Sequence, residues 1–162
     1  MKHIPIEPLT KEAFAPYGEL IEKIGSEQIM INRGKCIRHH ALAIAEVAGD
    51  EASVVISIFA GQPYALPHVL DMVERHPLGS QAFYPLGDKE WLVIVCEDES
   101  GVPVEPRAFR ALPHQGVNLK RNQWHGVLTP LHEPSDFLVV DRGGPGDNLV
   151  EYDFDQPFTV GS

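Results

Sequence analysis

Short apolar or alternating runs, separated by glycine- and proline-rich punctuation, constrain this chain more than any other feature. The runs read ELIEKI (19–24), EQIMIN (27–32), KCIRHHALAI (35–44), SVVISIF (53–59), EWLVIVCE (90–97), RAFRAL (107–112) and DFLVVD (136–141). The 14 glycines and 14 prolines mostly fall between them, as in Asn32-Arg33-Gly34, Gly61-Gln62-Pro63, Pro85-Leu86-Gly87 and Gly143-Gly144-Pro145-Gly146. Short segments of this kind, bounded by turn residues, read as β strands. Helical periodicity is almost absent, which favours a sandwich or barrel over a parallel α/β sheet. The exception is Thr10 followed by Lys-Glu-Ala-Phe-Ala and closed by Pro16 and Gly18, which predicts a capped helix of one or two turns.

The fold expected is therefore mainly β, a cupin-like or jelly-roll double-stranded barrel with a short N-terminal helix. With 162 residues and no low-complexity stretch dividing them, residues 1–162 are expected to form one domain. The acidic run Glu151 to Gln156 reads as a segment that packs loosely or against a partner.

Charge narrows the function. Twenty-three acidic residues against 13 basic ones give a formal charge of −10, a field that repels phosphate backbones and anionic lipid, so no nucleic-acid or membrane partner is expected. An anionic small molecule would need a local cationic pocket, which makes individual arginines more informative than the total. The two cysteines, Cys36 and Cys96, have no C-x-x-C spacing and suggest neither a disulfide framework nor a zinc finger. Prolines and Glu7 interrupt the N-terminal MKHIPIEPLT, and no apolar stretch approaches the roughly 20 residues of a membrane span. A cytoplasmic location is expected.

The stretch from Met72 to Pro85 is the richest in chemistry. With Asp71 to His76 extended, Glu74 and His76 face one way and Arg75 the other. A turn through Pro77, Leu78 and Gly79 leads to Gln81 and Phe83, again on one face, so Glu74, His76 and Gln81 can converge inside a barrel. Further on, Gly116 to Gly126 supplies a second glycine-led turn and a strand with Trp124 and His125 on opposite faces, the histidine being the one expected in a wet pocket.

These residues resemble the cupin arrangement of two ligands at i and i+2, an acidic or amide group a few residues later, and one distant histidine. Here the positions are Glu74, His76, Gln81 and His125, with Glu74 where the common pattern has histidine. The resemblance sharpens with Glu-Arg-His-Pro at 74–77, Gln81-Ala-Phe, Gly116-Val with Trp124-His125 downstream, Asp136-Phe, and Asp141-Arg-Gly. Their order and spacing, from Phe-x-x-Tyr-Gly at 14–18 to Gly143, are similar to those of the ureidoglycolate lyase (ureidoglycolate hydrolase) family. One departure is Val127, at a loop position where a proline is expected after the Trp-His pair.

That resemblance implies an enzyme of allantoin breakdown in purine metabolism that splits ureidoglycolate into glyoxylate and urea, working as a homodimer. The carbon being cleaved carries a hydroxyl, a carboxylate and the urea nitrogen, so a base must take the hydroxyl proton and an acid must protonate the departing nitrogen. His76 and His125 suit either task, with Glu74 orienting His76 or acting as base itself. Alternatively a divalent metal, nickel, manganese or zinc, held by Glu74, His76, Gln81 and His125 would lower the hydroxyl pKa. No organic cofactor is called for. The substrate carboxylate calls for an arginine. Arg38, which shares a strand face with His40, ranks first; Arg75, Arg121 and Arg142 follow, and Gln81 is a further substrate contact. A lone strand histidine is more often structural than catalytic, and His3, His68, His114 and His132 are read that way. Arg142 reads as a structural residue that holds a carboxylate within the fold or across a dimer interface.

Overall fold

The expected punctuated strands are present in a computed structural model that describes all of residues 1–162. In chain order they are β1 (Lys2–Ile4), β2 (Ile6–Pro8), helix α1 (Lys11–Phe14), β3 (Gly18–Ile21), β4 (Glu27–Ile31), β5 (Cys36–His40), β6 (Ser53–Gly61) and β7 (His68–Arg75). These continue with β8 (Gln81–Pro85), β9 (Trp91–Glu99), β10 (Val102–Ala111), β11 (Gly116–Leu119), β12 (Thr129–Pro130), β13 (Ser135–Gly143) and β14 (Val150–Val160). The single α-helix begins where its cap residue predicts: the Thr10 hydroxyl accepts the Ala13 N–H at 3.2 Å.

Two layers enclose the interior. One is a five-stranded antiparallel sheet in the order β3-β11-β8-β13-β6. The other contains β1-β14-β7 and β12-β9-β10-β2, with β1 parallel to β14 and β2 parallel to β10. The two halves of this second layer are joined by residues 124–126. His125 exchanges both backbone hydrogen bonds with Glu74 at 2.8 Å, Cys96 N–H donates to the Trp124 carbonyl, and Gly126 N–H donates to that of Ile94. The β4–β5 hairpin stands apart as its own two-stranded sheet.

β9 is buried on both faces, which explains its continuous apolar run. Trp91, Val93 and Val95 join Phe14, Tyr17, Phe83, Val117, Leu119, Phe137 and Val139 in the core between the layers. Leu92, Ile94 and Cys96 face the other way, into a second core with Leu70, Val73, Trp124 and Val160.

The C-terminal run is the clearest correction to the sequence reading. Residues 151–156 lie in the longest strand, β14, paired with β7. Glu151, Asp153 and Asp155 point to solvent, while Tyr152 and Phe154 pack on the second core. The acidic composition hides an alternation in which the aromatics supply the burial. Both cysteines are free thiols, and Cys96 is buried.

Candidate functional site

The site is built on one row of the second layer. Paired residues in adjacent antiparallel strands project their side chains to the same side, so Glu74, His125 and Val95 face inward together. His76, two residues beyond Glu74, continues that face. Pro77, which lacks an N–H, ends β7 and begins the turn. The Gly79 position in this turn has no room for a side chain, because a Cβ there would lie 2.8 Å from the Cβ of Arg142.

Both imidazoles are fixed in one tautomer. His76 Nδ1 lies 2.9 Å from the Asn148 carbonyl oxygen and His125 Nδ1 lies 2.8 Å from that of Gly126. A carbonyl can only accept, so each Nδ1 carries the proton and each Nε2 presents a lone pair. Both Nε2 atoms are buried with no partner. The rings are 5.2 Å apart between centroids, and the Glu74 carboxylate is 3.9 Å from His76 Nε2. One ligand atom from each of Glu74, His76 and His125 lies within 4.8 Å of the other two.

Burial sets the protonation preferences. It pushes the His125 pKa down to about 4, and the neighbouring His76 adds to the effect, so His125 is neutral near pH 7. Burial also raises the pKa of Glu74, opposed by His76 and reinforced by Glu151. An acid so shifted is better matched to proton transfer near neutrality.

Gln81 enters the interior from the opposite sheet. It lies on the Phe83 face of β8, opposite Leu119 of β11, and Phe83 and Leu119 line the same narrow cavity as His125. Its Nε2 donates to Asp141 at 3.1 Å, and its Oε1 is buried without a partner. Glu74, His76, Gln81 and His125 are thus the inward-facing set that the alternation implies. Glu74 does not orient His76 as the sequence suggests, because 3.9 Å exceeds hydrogen-bond range; the Asn148 carbonyl does so instead.

The arginines depart from the sequence reading. Arg75 points to the outer face, where it pairs with Asp98 at 2.9 Å and lies over the Trp124 ring at 4.3 Å. It is therefore committed to the second core and not to substrate. Arg38 and His40 do share a strand face, but on the separate β4–β5 hairpin, where Arg38 is exposed. His40 lines a different cleft, of about 650 Å³, together with Glu12, Glu19, Glu22 and Glu27. Four carboxylates make that cleft unsuited to an anionic substrate, and no hydrogen bond or ion pair links Arg38 or His40 to the inward-facing set. Arg142 is buried but holds no carboxylate; it donates to the carbonyls of Ala48, Gly144 and Pro145. Arg121 donates to the Pro77 carbonyl at 2.6 Å, immediately beside His76.

Sequence reasoning missed Asn148, whose carbonyl holds His76 and whose side-chain oxygen accepts the Leu78 N–H at 2.8 Å. It clasps the turn after His76 from 70 residues away in sequence, and no local pattern announces it. Asp141 has no role in the sequence reading beyond the family pattern, although its position two residues after Val139 puts it on the inward face of β13.

Comparison with known proteins gives the site its family. The Bacillus subtilis oxalate decarboxylase, a protein with Mn(II) centres, aligns over 67% of this chain and 29% of its own at a TM-score of 0.36 and 9% identity, too distant to bear on the chemistry. Ureidoglycolate lyase of Chelativorans sp. (strain BNC1) is 58% identical over 99% of this chain and 97% of its own length. Those of Mesorhizobium japonicum and Agrobacterium fabrum are 54% and 53% identical, covering 99% and 97% of this chain and 98% and 95% of their own. The family model for ureidoglycolate lyase matches residues 1–161, and the chain belongs to that family.

Proposed function

We propose that the chain cleaves ureidoglycolate into glyoxylate and urea in purine catabolism, and that Glu74, His76 and His125 carry the reaction. The observation that bears this reading is the pair of buried, unpartnered Nε2 atoms beside Glu74 in a member of this family. The hydroxyl on the reacting carbon loses its proton to Glu74, whose raised pKa suits it to the task. The C–O bond becomes the carbonyl of glyoxylate as the C–N bond breaks. The Nε2 lone pair of His76, anchored at Nδ1, takes that proton from Glu74 and passes it to the departing nitrogen, so the proton is conserved and no water is consumed. His125, neutral at working pH, accepts a hydrogen bond from the substrate. Arg121, whose Nε donates to Pro77 beside His76 and whose Nη1 lies 3.8 Å from Glu46, is the cation assigned to the substrate carboxylate.

Glu74, His76 and His125 also fit a divalent cation: two lone pairs fixed by backbone carbonyls, plus one carboxylate, are a suitable nitrogen and oxygen donor set for nickel, manganese or zinc. When bound there, a metal would supply Lewis-acid polarisation of the substrate hydroxyl and carboxylate. Incubating the purified protein with ureidoglycolate, before and after chelation, should release glyoxylate and urea in equal amounts with no free ammonia. Ammonia in place of urea would make the chain an amidohydrolase.

A homodimer is part of the proposal. β6 is an edge strand, and its Ile56 and Ile58 are 72% and 64% exposed beside Leu138 of β13. This uncharged strip lets two chains of charge −10 meet without opposing like charges. Light scattering should find a dimer that Ile58→Glu converts to monomer; an unchanged mass would reject this face. A cytoplasmic setting agrees with the two free thiols.

A further inference from the structure

We infer that Gln81 is the acceptor for the ureido N–H groups of the substrate, and that Asp141 is the positioning residue that makes it an acceptor. The inference rests on the ureidoglycolate reading and adds a specificity determinant to it.

The primary amide of glutamine can turn either end towards a ligand, donating from Nε2 or accepting at Oε1. Here that choice is removed. Gln81 Nε2 donates to Asp141 Oδ2 at 3.1 Å, and a carboxylate has no hydrogen to offer in return. The amide therefore cannot flip without losing its bond and opposing two oxygens. Oε1 is left on the other side, buried and unpartnered in a residue that is 6% exposed. A buried amide oxygen without a donor costs on the order of 1–3 kcal/mol, and such a group in a site calls for a ligand that donates.

The location suits the leaving group. Gln81 projects from the five-stranded sheet, whereas Glu74, His76 and His125 belong to the opposite layer, so the interior has proton-moving groups on one wall and a fixed acceptor on the other. The cavity between them, lined by His125, Phe83 and Leu119, is narrow, about 10 Å³, so a substrate that reaches Gln81 meets its amide across a tight gap. Of the substrate's parts, the carboxylate has no donor and the hydroxyl is the group that Glu74 deprotonates. The ureido nitrogens are the remaining donors, and they persist in the product urea. Apolar Phe83, Val117 and Leu119 line the cavity nearby and offer no competing acceptor from their side chains.

The test separates the two products. Inhibition of the lyase by urea and by glyoxylate is measured for the native protein, Gln81→Met and Asp141→Asn, with thermal melting and metal content followed in parallel. Gln81→Met keeps the side-chain length but not the acceptor. It should raise the inhibition constant of urea about 10-fold, the effect of roughly one hydrogen bond, and leave that of glyoxylate within about twofold. Asp141→Asn lets the amide adopt either orientation and should give an intermediate rise confined to urea. Fully N-methylated urea, which has no donor, should inhibit the native and Gln81→Met proteins alike. An unchanged urea constant, an equal rise for glyoxylate, or a loss of metal from Gln81→Met would overturn the inference, the last by making Gln81 a ligand. If Gln81→Met does not fold, Asp141→Asn and the methylated urea decide. Should the native protein release no glyoxylate and urea at all, the functional reading falls before this one is reached.

Discussion

The two sides of the strand pair formed by β7 and residues 124–126 carry opposite kinds of chemistry one residue apart. Inward, Glu74, His76 and His125 bring polar atoms together and leave two imidazole nitrogens unsatisfied. Outward, Arg75 and Trp124 are nearly closed on themselves: Trp124 Nε1 donates to Asp98 at 2.8 Å, Arg75 pairs with the same carboxylate, and the guanidinium stacks on the indole. Asp98, held by both and by the Gly101 N–H, has its pKa lowered, first by the Trp124 bond. The outer face leaves one buried atom, Arg75 Nε, without a partner, whereas the inner face leaves both imidazole Nε2 atoms open to a ligand. Unsatisfied polar groups are tolerated in a fold chiefly where a ligand will meet them.

The sharpest way to break this contrast is to remove an inner residue. His76→Ala or His125→Ala should lower kcat/KM by about 10²–10⁴, with the double variant little worse than either single one if they act as a unit. Each variant also loses one Nδ1 hydrogen bond, worth about 1 kcal/mol, so its melting temperature should fall by only a few degrees while activity collapses. Coupled glyoxylate assays and thermal unfolding measure both, and full activity in both variants would remove the histidines from the mechanism.

Truncating the outer face should have the converse effect. Trp124 is 1% exposed, and Trp124→Ala should cost about 3–5 kcal/mol in denaturant unfolding through lost burial and the cavity left behind. A loss below about 1 kcal/mol would show that the second core does not hold residues 124–126 in place.

Acid should weaken the fold through the inner face. His125 has a pKa of about 4 when folded against about 6.5 when unfolded, so between those values the unfolded chain binds more protons. The stability of the neutral, buried ring is fully present above about pH 6.5 and is lost as pH falls towards about 4, on the order of 3 kcal/mol in all. Unfolding of chelated native protein and His125→Gln across this range should give curves that converge in acid; parallel curves would contradict the assigned burial effect.

The smallest effect is expected at Arg75. Its ion-pair partner Asp98 is 46% exposed, so Arg75→Ala should cost about 1 kcal/mol through the ion pair and the contact with the Trp124 ring. Activity should remain within about twofold, whereas a large rise in KM with unchanged stability would return Arg75 to the substrate.

Much of this arrangement was legible from alternation. Glu74 and His76 facing one way with Arg75 the other, and Trp124 opposed to His125, follow from the two-residue period of a strand. Apolar or alternating runs bounded by turn residues marked β6, β9 and β13 as strands, and the Thr10 cap marked the helix. The period was also present in Glu151 to Phe154, where net charge concealed it. Alternation fails where a residue leaves the barrel: Arg38 and His40 share a face as read, yet their hairpin carries that face to another cleft.

The sequence by itself determined the strand-rich class, the family pattern and which side chains face the same way, because these depend on local periodicity and ordered spacing. Only the tertiary structure decided what each facing side chain meets. The stitching of His125 between Glu74 and Val95, the hold of Asn148 on His76 and the locking of Gln81 by Asp141 join residues 30 to 72 positions apart. Such contacts arise from sheet register and loop closure, which no short window of sequence encodes.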